Sequence, residues 1–444
     1  MALVFTYSLF QMCFVIYFLL KKIYHKTGYR YNPFFLGGLI VLLYNSLGPI
    51  LIFLNIDAIA SNWEQWCIEE GITNNNILVS QILLSLIGFL FIQIGVQFKK
   101  KIFIFQKKLK NKILEHYYFY FYLSLALVLL QVYFILTGSF TLGGLSDEEI
   151  EKGINPLLAI VYPYFYIIPY IGGIFVFKKK HFIFWIAILT IQLFWFFFMN
   201  KRSLFIGSTL FLCSINDWIF LKLKVKNFAL IAVAILAFIS FSTLFQKLRL
   251  IGLNNLSFFS TDLNEIAFYL NNIDNDLFND VNAQYTAIRP FSSHLPIAHF
   301  INIFDSHKIS LLRGESVFNA FLNSLPGSFF VKKDLISVNE ALYFSHFHSL
   351  FDYVDIGDTV ILQGLIDFGY LGVAVYLFAI YFLLLTLINF LFSFKINSLF
   401  SVVFWSQLFI LSFNAYEESF SEYFISIRVM ISAYIISLLL KIKN

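Results

Sequence analysis

The chain has 444 residues, of which 59% are hydrophobic, 20% aromatic and only 13% charged, with a formal net charge of +5. Soluble domains carry about twice that share of charge, and the mean hydropathy here is +0.78. These values exclude a soluble enzyme or a basic nucleic-acid-binding domain, and a β-barrel would instead show short alternating segments.

The apolar residues come in blocks of roughly 18–23, the length that spans a hydrocarbon core. The sequence therefore predicts an all-α, polytopic integral membrane protein with about 11 transmembrane helices. Residues 2–20 lack a basic leader and a small-residue cleavage site, and read as the first span rather than as a signal peptide. The next spans are placed at 34–54, 77–98, 117–137, 157–177, 182–199, 204–221 and 227–246. The last three are placed at 370–393, 398–416 and 424–440.

The connections alternate in charge. KKIYHKTGYR after the first span is basic and NIDAIASNWEQWCIEE after the second is acidic. KKKIFIFQKKLKNK, read as the loop after the third span, holds seven lysines, and LGGLSDEEIEKG after the fourth is acidic. Basic loops stay on the cytoplasmic side, so the amino terminus is expected outside and the carboxyl terminus inside. That scheme puts the turn in MNKRSLFIGS, residues 199–208, on the outer face. Lys201 and Arg202 are then exceptions to the charge rule. They either snorkel to outer headgroups or hold an anionic group.

The pattern divides the chain into 1–246, a long outward loop over 247–357, and 358–444. The loop holds five of the eight histidines, with eleven acidic and seven basic residues. SVFNAFLNSLPGSFF within it reads as an interfacial helix. No phosphate loop, HExxH, GxSxG or cysteine cluster is present, and no metal site or cofactor is expected. What remains is outward cations and histidines beside a membrane. Arginines stabilise a departing pyrophosphate by paired hydrogen bonds, and histidine orients or deprotonates an attacking hydroxyl near neutral pH. Candidate binding residues are Arg202, Lys201, Arg249, Arg289, Arg313 and Arg428. Candidate bases are His346 and His348, with Asp358 able to orient a hydroxyl. A mid-span arginine such as Arg428 is costly unless paired or functional, and Glu422 or Glu418 is its expected structural partner.

Four features together resemble the O-antigen polymerases of the Wzy type and, more distantly, the O-antigen ligases. They are the NKRS turn with Arg202, the late outward loop, the stretch FLNSLPGSFFVKKDLISVNEALYF, and DTVILQGLIDFGYLGVAVYLF. The last resembles a loop-ending, membrane re-entrant segment with an (E/D)xGxxG ending, here Asp367, Gly369 and Gly372. The resemblance implies a glycosyltransferase C-like fold at the periplasmic face of the bacterial inner membrane. It implies metal-independent joining of undecaprenyl-pyrophosphate-linked oligosaccharide repeat units, with a chain-length regulator as a possible partner. The sequence departs from the ligases, which carry a histidine about eleven residues before the first glycine of GxxG; Asp358 and Thr359 stand there instead. A ligase and a lipid-linked oligosaccharide flippase are the rival readings.

Overall fold

A computed structural model describes residues 2–18, 32–53, 71–137, 140–141, 144–145, 161–178, 180–199, 201–215, 294–305, 310–325, 359–393, 398–416 and 419–439. The described residues are helical apart from short connections and one pair of two-residue strands, β1 (Phe140–Thr141) and β2 (Gly144–Leu145), joined antiparallel. The chain forms two compact units, Met1–Phe105 with Ala283–Asn444, and Gln106–Asn282.

The first unit contains α1 (Ala2–Phe18), α2 (Pro33–Phe53) and most of α3 (Asn74–Glu115). It also contains α8 (His294–Asp305), α9 (Glu315–Ser324), α10 (Val360–Ser393), α11 (Ser398–Asn414) and α12 (Phe420–Leu439). The second unit takes in the end of α3, α4 (Tyr117–Leu136), and a 3-10 turn (Tyr162–Tyr166) leading into α5 (Ile167–Phe177). It continues with α6 (Phe182–Met199) and α7 (Lys201–Ile215). Five of these helices are long and apolar enough to cross a membrane: those at Pro33–Ile50, Asn74–Glu115, Tyr117–Phe134, Val360–Phe392 and Phe420–Leu439. Four shorter apolar helices accompany them, at Ala2–Phe18, Tyr162–Val176, Phe182–Gln192 and Leu399–Asn414. The protein is thus a helical membrane protein. The span expected at 227–246 lies outside the described residues.

One expectation is corrected. The lysine-rich stretch after residue 98 is not a loop: α3 runs on without interruption to Glu115. Ile102, Phe105, Leu109 and Ile113 recur three to four residues apart and are all buried. That is the stripe of an amphipathic helix, and the lysines occupy its other faces. Reading lysines as a loop gave charge priority over period.

Helix contacts in the first unit rest on small residues. Lipid is as apolar as leucine, so spans associate through close van der Waals packing where side chains are small. A Cβ at Gly38 on α2 would stand 2.5 Å from the Gly88 carbonyl oxygen on α3, and one at Gly95 on α3 would stand 2.6 Å from the Phe35 amide. On an adjoining face of α2, a Cβ at Gly37 would run into the Ser412 carbonyl of α11. α2 is therefore gripped between α3 and α11, and α12 packs on α11 in turn. Beneath this contact lies a neutral hydrogen-bond network. Asn45 donates to Gln11 Oε1 at 3.1 Å and to the Gln81 carbonyl at 2.9 Å, and Gln81 donates to Ser8 Oγ at 2.6 Å. These side chains are fully buried, and they tie α1, α2 and α3 together where water cannot compete.

Gly38→Val is expected to lower the thermal unfolding midpoint of the detergent-solubilised protein, since overpacking costs about 1–3 kcal/mol. An unchanged midpoint by scanning fluorimetry would show that α2 and α3 do not pack as described.

Candidate functional site

α10 is two helices. Phe368 (φ −142°, ψ 16°) and Gly369 (φ 64°, ψ −151°) interrupt it, leaving a half-helix, Val360–Asp367, before the long span. The half-helix is buried along its length. Thr359 starts it by accepting the Leu362 amide on its hydroxyl at 3.1 Å. Gly369 ends it because its φ is positive, a conformation costing a non-glycine residue roughly 1–2 kcal/mol. Gly372 is needed for a different reason: a Cβ there would run into the carbonyl oxygen of Gly364 across the break.

A half-helix ending inside protein exposes carbonyls that need donors. Two come from the segment before α9. Leu312 N–H donates to the Ile366 carbonyl at 3.1 Å and Arg313 N–H to the Asp367 carbonyl at 3.0 Å. The exchange is reciprocal. Gly314 is the N-cap of α9 and has no capping side chain, and Asp367 supplies the missing acceptor. Its Oδ1 takes the Ser316 amide at 3.3 Å, and its Oδ2 takes the Ser316 hydroxyl at 2.6 Å and the Tyr376 hydroxyl at 2.5 Å. Three donors thus hold a carboxylate whose residue is fully buried. One turn earlier on the same face, Gln363 Oε1 accepts the Phe420 amide at 3.0 Å, at the start of α12. Positions 363 and 367 are i and i+4, so one face of the half-helix caps two other helices.

This places Arg313 distinctively. It is exposed and has φ +55°. Among the described residues, only Arg313 and His181 combine a positive φ with a side chain. Gly314 follows at φ +98° with Phe368 against it. The turn is clamped on both sides by Asp367, through its carbonyl before and its carboxylate after. Strain of about 1 kcal/mol persists where surroundings over-determine it, commonly at functional positions.

Arg428 sits at the other end of α9. Its guanidinium donates to the Ser324 carbonyl, and the Glu422 carboxylate is its electrostatic neighbour on α12. A cation at a helix C-terminus is favourable, so Arg428 has the structural pairing expected of a mid-span arginine. Arg313 and Arg428 stand at opposite ends of a ten-residue helix, about 15 Å long. Between them α9 exposes Phe318 and Phe321. Lys201 and Arg202 are the first two residues of α7, and α6 ends at Met199. His346, His348, Asp358, Arg249 and Arg289 lie outside the described residues.

The sequence reading missed Gln363 and the amide network, because it looked for ionisable groups within spans and these are neutral. The detectable signal was a glutamine inside an apolar run, four residues before Asp367. His294 and His299 are both buried on α8. His294 Nδ1 lies 3.3 Å from Ser80 Oγ, and its ring meets that of Tyr416 edge-on. Burial pushes its pKa down from 6.5 to about 3, a hydrogen bond to the Asn45 backbone opposing the shift. No group of three or more histidine, cysteine or acidic side chains placed to hold a metal ion occurs among the described residues. Compared with known proteins, the chain matches no family model, no curated protein and no solved structure.

Asp367→Ala should destabilise strongly, since it leaves the Ser316 amide and two hydroxyls buried and unpaired, at about 1–3 kcal/mol each. Ser316→Ala should cost less, because the other two bonds remain. Equal melting of all three proteins would contradict the capping role.

His294 supplies a pH dependence. The unfolded chain takes up its proton below about pH 6.5 and the folded chain only near pH 3. The stability its neutral form confers is complete above pH 6.5 and is lost as pH falls toward 3. The unfolding midpoint should therefore fall below pH 6.5, and His294→Gln should flatten that fall. An equally steep fall in the variant would remove His294 from the account.

Proposed function

We propose that the protein is a glycosyltransferase of surface-polysaccharide assembly, a polymerase that joins lipid-pyrophosphate-linked oligosaccharide repeat units. In this reading it lies in the bacterial inner membrane with its active face periplasmic, about eleven spans and a glycosyltransferase C-like architecture. The observation that carries it is Arg313: an exposed arginine held in a strained turn by a buried carboxylate, where the turn before α9 meets the break in α10. A pyrophosphate leaving group needs fixed cations that do not reorganise as charge develops. A guanidinium on an over-determined turn meets that need better than one on a free loop.

The chemistry assigned is a single transfer. The growing glycan leaves its undecaprenyl pyrophosphate as a sugar hydroxyl of the next lipid-linked unit attacks the anomeric carbon. The bond from that carbon to the pyrophosphate oxygen breaks, and the hydroxyl proton passes to a base. Arg313 would hold the departing pyrophosphate, and Arg202, Lys201, Arg249 and Arg289 are the other candidate cations for that role. His346 or His348 would accept the proton, with Asp358 orienting the hydroxyl. Arg428 has a lesser part, since it is engaged by the Ser324 carbonyl. A protein that sets chain length is the partner this activity calls for.

Cells lacking the gene, complemented with wild type or Arg202→Ala at matched membrane abundance, test the reading through the glycan ladder on a gel. The expected result is loss of the ladder in the deletion and the variant, with single repeat units still reaching the final acceptor. A normal ladder in the deletion would overturn the polymerase reading. Loss of even single units would favour a ligase or flippase.

A further inference from the structure

The second unit carries a cationic edge that the proposed activity does not use. Near the end of α3, Lys107 and Lys108 are exposed and Lys112 is half-buried. After His116 the chain starts α4 at Tyr117, on whose ring a second basic stretch converges. Lys180 Nζ stands 4.1 Å from the Tyr117 centroid, and the His181 ring stacks on it at 5.4 Å with an interplanar angle of 15°. Residues some sixty positions apart in sequence are thereby brought to one place, and Lys178 is exposed close by. His181 adopts φ +48° to make the turn. Among the described residues of this unit, Glu115 is the one acidic side chain.

Exposed apolar side chains adjoin these cations. Tyr118 is 68% exposed, Phe182 46% and Ile183 83%. α4 and α6 both begin here and both are apolar helices, so the cluster lies where helices enter hydrocarbon. Cations beside exposed apolar groups at a span end are the pattern that holds anionic headgroups, with the apolar groups in the acyl region and the ammonium groups at the phosphates. An acidic protein partner would satisfy the charge but would leave Ile183 and Tyr118 without apolar surroundings.

We infer that this edge, formed by Lys107, Lys108, Lys178, Lys180 and the Tyr117 ring, binds the phosphate headgroups of anionic phospholipids. The inference needs only the membrane character of the chain and stands apart from the proposed activity. Each lysine near an anionic surface changes partition by about fivefold.

The test uses full-length protein in neutral detergent, with short-chain phosphatidylglycerol or phosphatidylcholine added and bound lipid counted by native mass spectrometry. Phosphatidylglycerol should bind at least about tenfold more tightly than phosphatidylcholine. The combined variant Lys107→Gln, Lys108→Gln, Lys178→Gln, Lys180→Gln should lose that preference. Added salt should erase it in the wild type, which keeps the test decisive if the variant does not fold. Inorganic phosphate at the same concentration as the lipid should not compete. Equal affinity for the two lipids, a preference that survives in the folded variant, or one indifferent to salt would each overturn the inference. Full competition by inorganic phosphate would overturn the lipid assignment in favour of a free-anion site.

Discussion

A helix that stops inside a protein must find donors for its last carbonyls, and the placing of α9 and α12 in the first unit follows from how Val360–Asp367 does so. In a low-dielectric interior an unpaired carbonyl costs several kcal/mol, so the Leu312 and Arg313 amides are held where the break at Gly369 puts the acceptors. Asp367 returns the favour at the start of α9, and Gln363 does the same at the start of α12. One short helix thus fixes the entry of two others. Neither contact works if the half-helix is continuous with the span after it, so Gly369 and Gly372 belong to the same device: one permits the reversal and the other lets the arms close.

The consequence for function is a division of labour along α9. Its C-terminal end is secured by Arg428, whose charge is occupied by a carbonyl and a neighbouring carboxylate. Its N-terminal end presents an exposed Arg313 on a turn whose amides are held by the Ile366 and Asp367 carbonyls. The two arginines are therefore different in kind, one engaged by the protein and one exposed. Between them Phe318 and Phe321 are exposed, which gives the helix an apolar side.

Much of this was legible in the sequence, for physical reasons. Hydrophobic length located the helices: the block at 2–20 is the helix Ala2–Phe18, 117–137 is Tyr117–Leu136, and 182–199 is Phe182–Met199. Resemblance drew attention to Asp367, Gly369 and Gly372, though not to what each does. The lysines of α3 misled because charge was taken for a loop where the burial period of Ile102, Phe105, Leu109 and Ile113 was the stronger signal. Gln363, Gln11, Asn45 and Gln81 were passed over because a neutral amide in an apolar run has no charge to announce it. Its importance appears only when partners from distant helices are known. The pairing of Tyr117 with Lys180 and His181 is likewise a product of folding, with no trace in local spacing.

The most direct measurement is the glycan ladder of cells whose only copy of the gene carries Arg313→Gln, read beside the melting temperature and membrane abundance of the purified variant. Arg313 is exposed and its backbone contacts do not involve its side chain, so the variant should melt and accumulate like wild type. The account predicts that the ladder collapses to single repeat units all the same. A full ladder from a normally folded Arg313→Gln protein would contradict the claim that the half-helix holds this arginine for the reaction.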